Sequence, residues 1–187
     1  MMANLMSHQV WGVDRQRLIV IVVGSIVYAI LWSLEYLLNL PNLLNVSILP
    51  AVAIPIFCGL IWGPTVGFIV GALGVFLGDY FVTDIDFALY WDFGAGLLGL
   101  IAGLSTTTAR FFQSWRDYLV AELWVLLSIY VSLDYTVSRQ VLYEGASSGW
   151  DALFVDAFRN LSINALILVP VLIWIYYRFN KQKVFGS

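Results

Sequence analysis

The residues of this chain that can do chemistry sit at the ends of long apolar runs. Glu35 closes the first run, Asp79 and Tyr80 close the third, and Trp91 and Asp92 open the fourth. Asp134, Tyr135 and Arg139 close the fifth, and Arg159, Asn160 and Asn164 fall in the first half of the sixth. If successive runs alternate in direction, all of these residues project to the same half of one bundle. Polar side chains inside a membrane are expensive and mark functional sites by default. Carboxylates, amides and aromatic rings gathered at one depth have the make-up of a small-molecule site, with aromatic walls and a few polar anchors. A plainer reading stands beside it: Asp79, Asp134 and Arg159 pair with one another and only fix the bundle.

Other chemistries find no support. His8 is the single histidine and lies in a polar lead, so no histidine triad and no histidine-ligated metal or haem is expected in the apolar runs. Cys58 is the single cysteine, which excludes an intrachain disulfide and a cysteine metal cluster; in its apolar run it reads as a buried, inert thiol. No run carries charges along its full depth, as a carboxylate proton path would require. Neither catalysis nor a cofactor is expected. Glu122, near the start of the fifth run, either reaches the surface or pairs with Arg116. The net charge of −3 comes with no basic patch that would point to nucleic acid.

The elements that position these residues follow from composition. Of 187 residues, 61% are hydrophobic and only 11% are charged, against about 25% charged in a soluble domain. The expected fold is an all-α integral membrane protein, a compact bundle of six transmembrane helices. The spans are predicted at 18–38, 48–62, Leu60–Tyr80, 88–109, 118–142 and 151–177, so the membrane domain covers 18–178, between a polar lead (1–17) and a basic tail (179–187). Each is near the roughly 20 apolar residues that one crossing takes. The first 17 residues are polar or mixed, which does not fit a cleavable signal peptide. Pro50 and Pro55 predict an irregular second span. A Trp-Gly-Pro turn opens the third, where Gly63, Gly67, Gly71, Gly74 and Gly78 share one helical face. Small faces let helices approach closely in lipid, so this stretch is predicted to be a central helix. Gly99 and Gly103 make a second such pair.

Six spans put both termini on one side, together with the loops between spans two and three and between spans four and five. That side collects Arg15, Arg17, Arg110, Arg116, Arg178, Lys181 and Lys183, and leaves only Arg139 and Arg159 elsewhere. Lys and Arg accumulate on the cytoplasmic side, so the N and C termini are predicted to be cytoplasmic.

Several stretches carry a family resemblance. Ser25 and Ala29 form a small-xxx-small pair in the first span. Pro50 and Pro55 lead into Gly59-Leu60-Ile61-Trp62-Gly63-Pro64-Thr65-Val66-Gly67, and Gly99-Leu100-Ile101-Ala102-Gly103-Leu104 follows later. Over about residues 18–178 the chain resembles the substrate-binding S components of energy-coupling factor (ECF) transporters. The resemblance implies a receptor in a prokaryotic cell membrane that takes a vitamin from outside. It also implies assembly with a transmembrane coupling protein and two cytoplasmic ATPases, whose hydrolysis of ATP topples the receptor and releases the substrate inside. By the same resemblance Ser25 and Ala29 would meet the coupling protein, although the usual pattern is Ala-x-x-x-Ala, and the loop 39–47 would cover the pocket. The chain has no Gly-x-x-x-x-Gly-Lys-Ser/Thr loop, so it is not the ATPase itself. The substrate-binding set expected is Glu35, Asp79, Tyr80, Trp91, Asp92, Asp134, Tyr135, Arg159, Asn160 and Asn164. Carboxylates and aromatic faces favour a cationic or hydrogen-bond-donating ring such as thiamine or its pyrimidine precursor, while Arg139 and Arg159 would suit a carboxylate vitamin. The general fold is also that of the rod-shape protein MreD, so a non-transporting structural subunit is the alternative. A ligand-sized cavity would separate the two.

Overall fold

The computed structural model describes residues 11–38, 49–82, 89–107, 115–144 and 150–184. Among these the chain is all helical: α1 (Arg15–Leu38), a 3-10 turn (Pro50–Val52), α2 (Ala53–Trp62), α3 (Pro64–Val82), α4 (Leu89–Gly103), a second 3-10 turn (Leu104–Thr107), α5 (Trp115–Glu144) and α6 (Trp150–Val184). Helices α1, α3, α5 and α6 are long and apolar enough to cross a membrane; Pro50–Trp62 is a shorter apolar helix. His8, the loop 39–47, Asp84, Asp86, Arg110 and the turn at 145–149 lie outside the described residues.

Local chemistry sets the helix ends. Asp14 caps α1: its Oδ1 accepts the Arg17 backbone N–H at 2.8 Å, which satisfies one of the amides a helix start leaves without a partner. Gly63 ends α2 with φ 104°, a left-handed conformation that a side chain would strain. Its N–H donates to the Gly59 carbonyl at 2.9 Å. Pro64 then opens α3, where a missing N–H costs nothing. The irregularity expected of the second span is the 3-10 turn. Pro55 has no N–H for the Ala51 carbonyl, and the Ala53 N–H reaches Ala51 and Pro50 instead.

The stretch expected as one central helix is divided at Gly63. Leu60–Trp62 belong to α2, and α2 is the more enclosed element, with Ala53, Pro55, Ile56, Cys58, Gly59 and Leu60 all buried. Helix α3 keeps its glycine face inward and leaves Leu73 exposed. The glycines on these helices serve internal contacts. A Cβ on Gly59 would stand 2.1 Å from the Gly99 carbonyl oxygen, and one on Gly67 would stand 2.4 Å from the same atom. The backbones of α2, α3 and α4 thus meet around Gly99, closer than any side chain would permit.

A larger apolar cluster joins α2, α4, α5 and α6 through Ile56, Leu60, Ala102, Val125, Ile129, Val169 and Ile173. A smaller one joins α1, α2 and α3 through Ile21, Cys58, Val66 and Val70. The outer surfaces are equally apolar. Ile19, Val22, Val23, Ile26 and Ile30 on α1 are exposed, as are Val155, Ile167, Val171 and Trp174 on α6. Continuous apolar faces of this kind are unusual on soluble proteins and are the surface a bilayer covers. Ser25 (2% exposed) and Ala29 (5%) are turned the other way. They lie on the buried face of α1, where the Ala29 carbonyl approaches Gly78 of α3. The small-xxx-small pair is therefore occupied within the chain.

Candidate functional site

Successive helices alternate, so the end of α1, the start of α2, the end of α3, the start of α4, the end of α5 and the start of α6 come together. A cavity of about 490 Å³ opens there, within the size range of small-molecule sites. Helix α1 contributes Tyr28, Trp32 and Glu35, spaced four and three residues apart and so on one helical face. Leu49 and Val52 come from the entry to α2, and Val75 from α3. Trp91, Ala95 and Leu98 come from α4, Ser132, Thr136 and Val137 from α5, and Asp156 and Asn160 from α6.

Hydrogen bonds fix the walls. Glu35 Oε1 accepts the Ala51 N–H at 2.6 Å, and Asn164 Oδ1 accepts the Leu49 N–H at 2.9 Å. Pro50 between them has no N–H to offer. Ser132 Oγ donates to the Gly94 carbonyl at 2.6 Å, and Thr136 Oγ1 donates to the Ser132 carbonyl at 2.8 Å. Both hydroxyl protons are thereby committed, which leaves lone pairs to face a ligand. Trp32 Nε1 donates to Asp79 Oδ1 at 2.8 Å. The lining is mainly apolar, and its polar groups are mostly acceptors: the Glu35 carboxylate, the hydroxyl lone pairs and the Asp156 carboxylate, which also pairs with Arg159. The Asn160 amide lies beside them.

Of the ten residues expected from sequence, the cavity brings together Glu35, Trp91 and Asn160. Asp79 stands behind the wall on the Trp32 indole. Asn164 is buried and holds Leu49 and its own helix, with Nδ2 donating to the Asn160 carbonyl at 2.8 Å. Tyr80 is exposed and packs edge-on against Phe81. Asp92 is half-buried and Asp134 exposed, and neither lines the cavity. Tyr135 packs on Phe93 with ring centroids 5.1 Å apart and carries the Arg139 guanidinium on its face. Arg159 is exposed and pairs with Asp156 at 3.1 Å on its own helix, in place of the expected pairing with Asp79 or Asp134. Glu122, far from this end of α5, is half-buried, and its Oε2 is buried without a hydrogen-bond partner.

Sequence reasoning missed Tyr28, Trp32, Ser132, Thr136 and Asp156. The spacing of Tyr28 and Trp32 ahead of Glu35 was the available signal, since it puts all three on one face. Nothing in the sequence marked the two hydroxyls.

The sequence profile of the ECF-type riboflavin transporter S component family matches residues 16–178. The chain belongs to this family. Members are substrate-binding subunits of transporters, not enzymes, and the S component described here shares their apolar, membrane-crossing helices. Among curated proteins it is similar to the UPF0397 protein of Vibrio atlanticus, 32% identical over 157 residues, covering 80% of each chain. A UPF0397 protein of Aliivibrio fischeri is 33% identical over 93 residues, or 50% of this chain and 49% of that one. The match thus spans about half the length of the Aliivibrio relatives. A UPF0397 protein of Streptococcus pneumoniae is 27% identical over 118 residues, covering 60% of this chain and 62% of that one. No solved structure matches.

Proposed function

We propose that this S component is the substrate receptor of an ECF transporter in the cytoplasmic membrane of a prokaryote, and that its substrate is a vitamin with a planar ring and outward hydrogen-bond donors. The observation that carries this reading is the cavity, ligand-sized and walled by five of the six helices. A scaffold of the MreD kind needs paired polar groups but no such space. In the receptor reading the chain works with a transmembrane coupling protein and two cytoplasmic ATPases, and binding itself breaks no bond.

The orientation follows from charge. All six helices cross the membrane in this reading. Helix α4 and the 3-10 turn after it together reach about 30 Å, the thickness of the hydrocarbon core. Arg15, Arg17, Arg116 and Arg178 mark the end opposite the cavity, so the termini are cytoplasmic and the cavity faces outward.

Acceptor anchors in a largely apolar lining select for donors, and aromatic walls for a flat ring. Among the described residues no Lys or Arg lines the cavity, and the nearby Arg159 is paired with Asp156, which disfavours a carboxylate or phosphate on the substrate. Riboflavin, named in the family's description, is uncharged, with a planar ring and hydroxyl donors, and is the first candidate. The Glu35 carboxylate favours a second, thiamine or its amino-bearing pyrimidine precursor. Glu35, Trp91 and Asn160 make the contacts.

The test is titration of the purified protein with riboflavin, followed by quenching of the flavin's own fluorescence, and with thiamine and the pyrimidine by thermal shift. Native mass spectrometry for a co-purified small molecule runs beside it. Saturable binding of one of these ligands, lost with Asn160→Ala, is expected. An apo mass with no binding or shift by any of the three would transfer the case to the scaffold reading.

A further inference from the structure

The aromatic wall of α1 is built in an unusual way. Tyr28 and Trp32 lie one turn apart with their rings edge to face, centroids 6.4 Å apart at 74°. Each ring rests on a glycine of α3. A Cβ on Gly74 would come within 2.4 Å of Tyr28 Cδ1, and one on Gly78 within 2.6 Å of Trp32 Cδ1. The residue after Gly78 is Asp79, whose carboxylate takes the indole proton at 2.8 Å. One turn of α3 therefore supplies both the floor on which the indole lies and the acceptor that fixes its rotation.

This arrangement changes what each residue can offer a ligand. The Trp32 N–H is spent on Asp79, so the indole has no donor left for the cavity and presents aromatic surface alone. Asp79 does not line the cavity. A hydrogen bond from an indole to a carboxylate, in the low dielectric of a membrane protein interior, is among the stronger neutral-to-charged contacts. Rotation of the indole would break it and would move the ring off the seat that Gly78 leaves.

We infer that Trp32 is the ring-recognising wall of the cavity and that Asp79 is a positioning residue acting through it. The inference rests on the receptor reading above and names one part of its site. Trp32 selects substrates by a flat aromatic face, and Asp79 acts only by holding that face in place. Any substrate without a planar ring gains nothing from the pair.

The experiment is a double-mutant cycle on the full-length protein, with riboflavin as probe and D79N, D79L, W32F and W32F/D79L as variants. Protein labelled with 5-fluorotryptophan supplies a ligand-free readout by fluorine NMR, in which the Trp32 resonance is the one missing from W32F. Expected are a single sharp Trp32 line in the wild type and in D79N, which keeps an acceptor oxygen, and a displaced or divided line in D79L. The lines of the other seven tryptophans should stay in place and report an intact fold. Riboflavin affinity should fall about tenfold in D79L, remain within about threefold in D79N, and show no further loss when D79L is added to W32F. An unmoved Trp32 line in D79L overturns the inference whatever the ligand result. So does an equal loss of affinity from D79L in both backgrounds, since Asp79 would then touch the substrate itself. If the wild type binds neither riboflavin nor the thiamine-type ligands, the receptor reading falls, and the fluorine spectrum still decides whether Asp79 orients the indole.

Discussion

Replacing Gly99 by alanine strikes the point where three helices share one close approach. A Cβ at this position would stand 2.2 Å from the carbonyl oxygen of Gly67, 2.3 Å from its carbonyl carbon and 2.7 Å from its Cα. All three are backbone atoms, so no rotamer change can clear them. Favourable contacts between carbon atoms lie at about 3.5–4 Å, so α3 and α4 must separate by about 1 Å. Overpacking of this kind costs about 1–3 kcal/mol, and with only backbone to move the upper end applies. Alanine returns about 1 kcal/mol through its better helix propensity. The net destabilisation is about 2 kcal/mol, which for a chain of this length lowers the apparent Tm by about 4–8 °C. Cys58, the single thiol and only 4% exposed, is a built-in reporter: a maleimide fluorophore reacts with it when the bundle opens on heating. Gly24→Ala is the control, because its nearest neighbours are side-chain atoms of Val70 and Cys58 at 3.1–3.3 Å, which can give way. If G99A melts within about 1 °C of the wild type, or no lower than G24A, the shared backbone contact does not hold the bundle together.

Four further outcomes are expected. Gly63→Ala forces a side chain onto φ 104° and should cost about 1–2 kcal/mol, visible in the same thiol melt without loss of riboflavin binding. Asn164→Ala strips the Leu49 N–H of its acceptor; it should destabilise by about 1–3 kcal/mol and speed riboflavin release in stopped-flow fluorescence, with Asn164→Asp milder because an acceptor oxygen remains. Trp91→Leu removes a second aromatic wall and should weaken riboflavin binding by about tenfold in an equilibrium titration. Arg159→Ala breaks an exposed pair on one helix; such pairs contribute less than about 1 kcal/mol, so the melt should hardly move.

Depth along the helices was legible in the sequence, and rotation about their axes was not. The alternation of apolar runs placed Glu35, Asp79, Trp91, Tyr135 and Asn160 at one end of the bundle, and a cavity opens at that end. A step of one residue turns a side chain by about 100°, and that step decided most of the assignments. Leu133 lines the cavity while Asp134 is exposed; Asn160 lines it while Arg159 is exposed. Spans rich in apolar residues on every side carry little periodicity to show which face turns inward, because lipid and core make the same demand. Tyr28 and Trp32 were overlooked in an apolar run, although their spacing from Glu35 puts all three on one face. The glycine rows were readable as close contacts. Their division into backbone seats (Gly59, Gly67, Gly99) and aromatic seats (Gly74, Gly78) depends on which neighbour arrives opposite, and no local pattern encodes that.

The three residues Leu49 to Ala51 carry a mechanical consequence. Their two available amide protons go to Asn164 on α6 and Glu35 on α1, so the first and last helices are yoked through a short piece of backbone that neither helix contains. A tilt of α1 against α6 must pull one of these bonds apart while the other holds. The cheaper motion keeps both and carries α1, the entry to α2 and α6 along together. The part of the cavity wall built by Glu35, Leu49 and Asn160 then keeps its shape for as long as Glu35 and Asn164 hold their bonds.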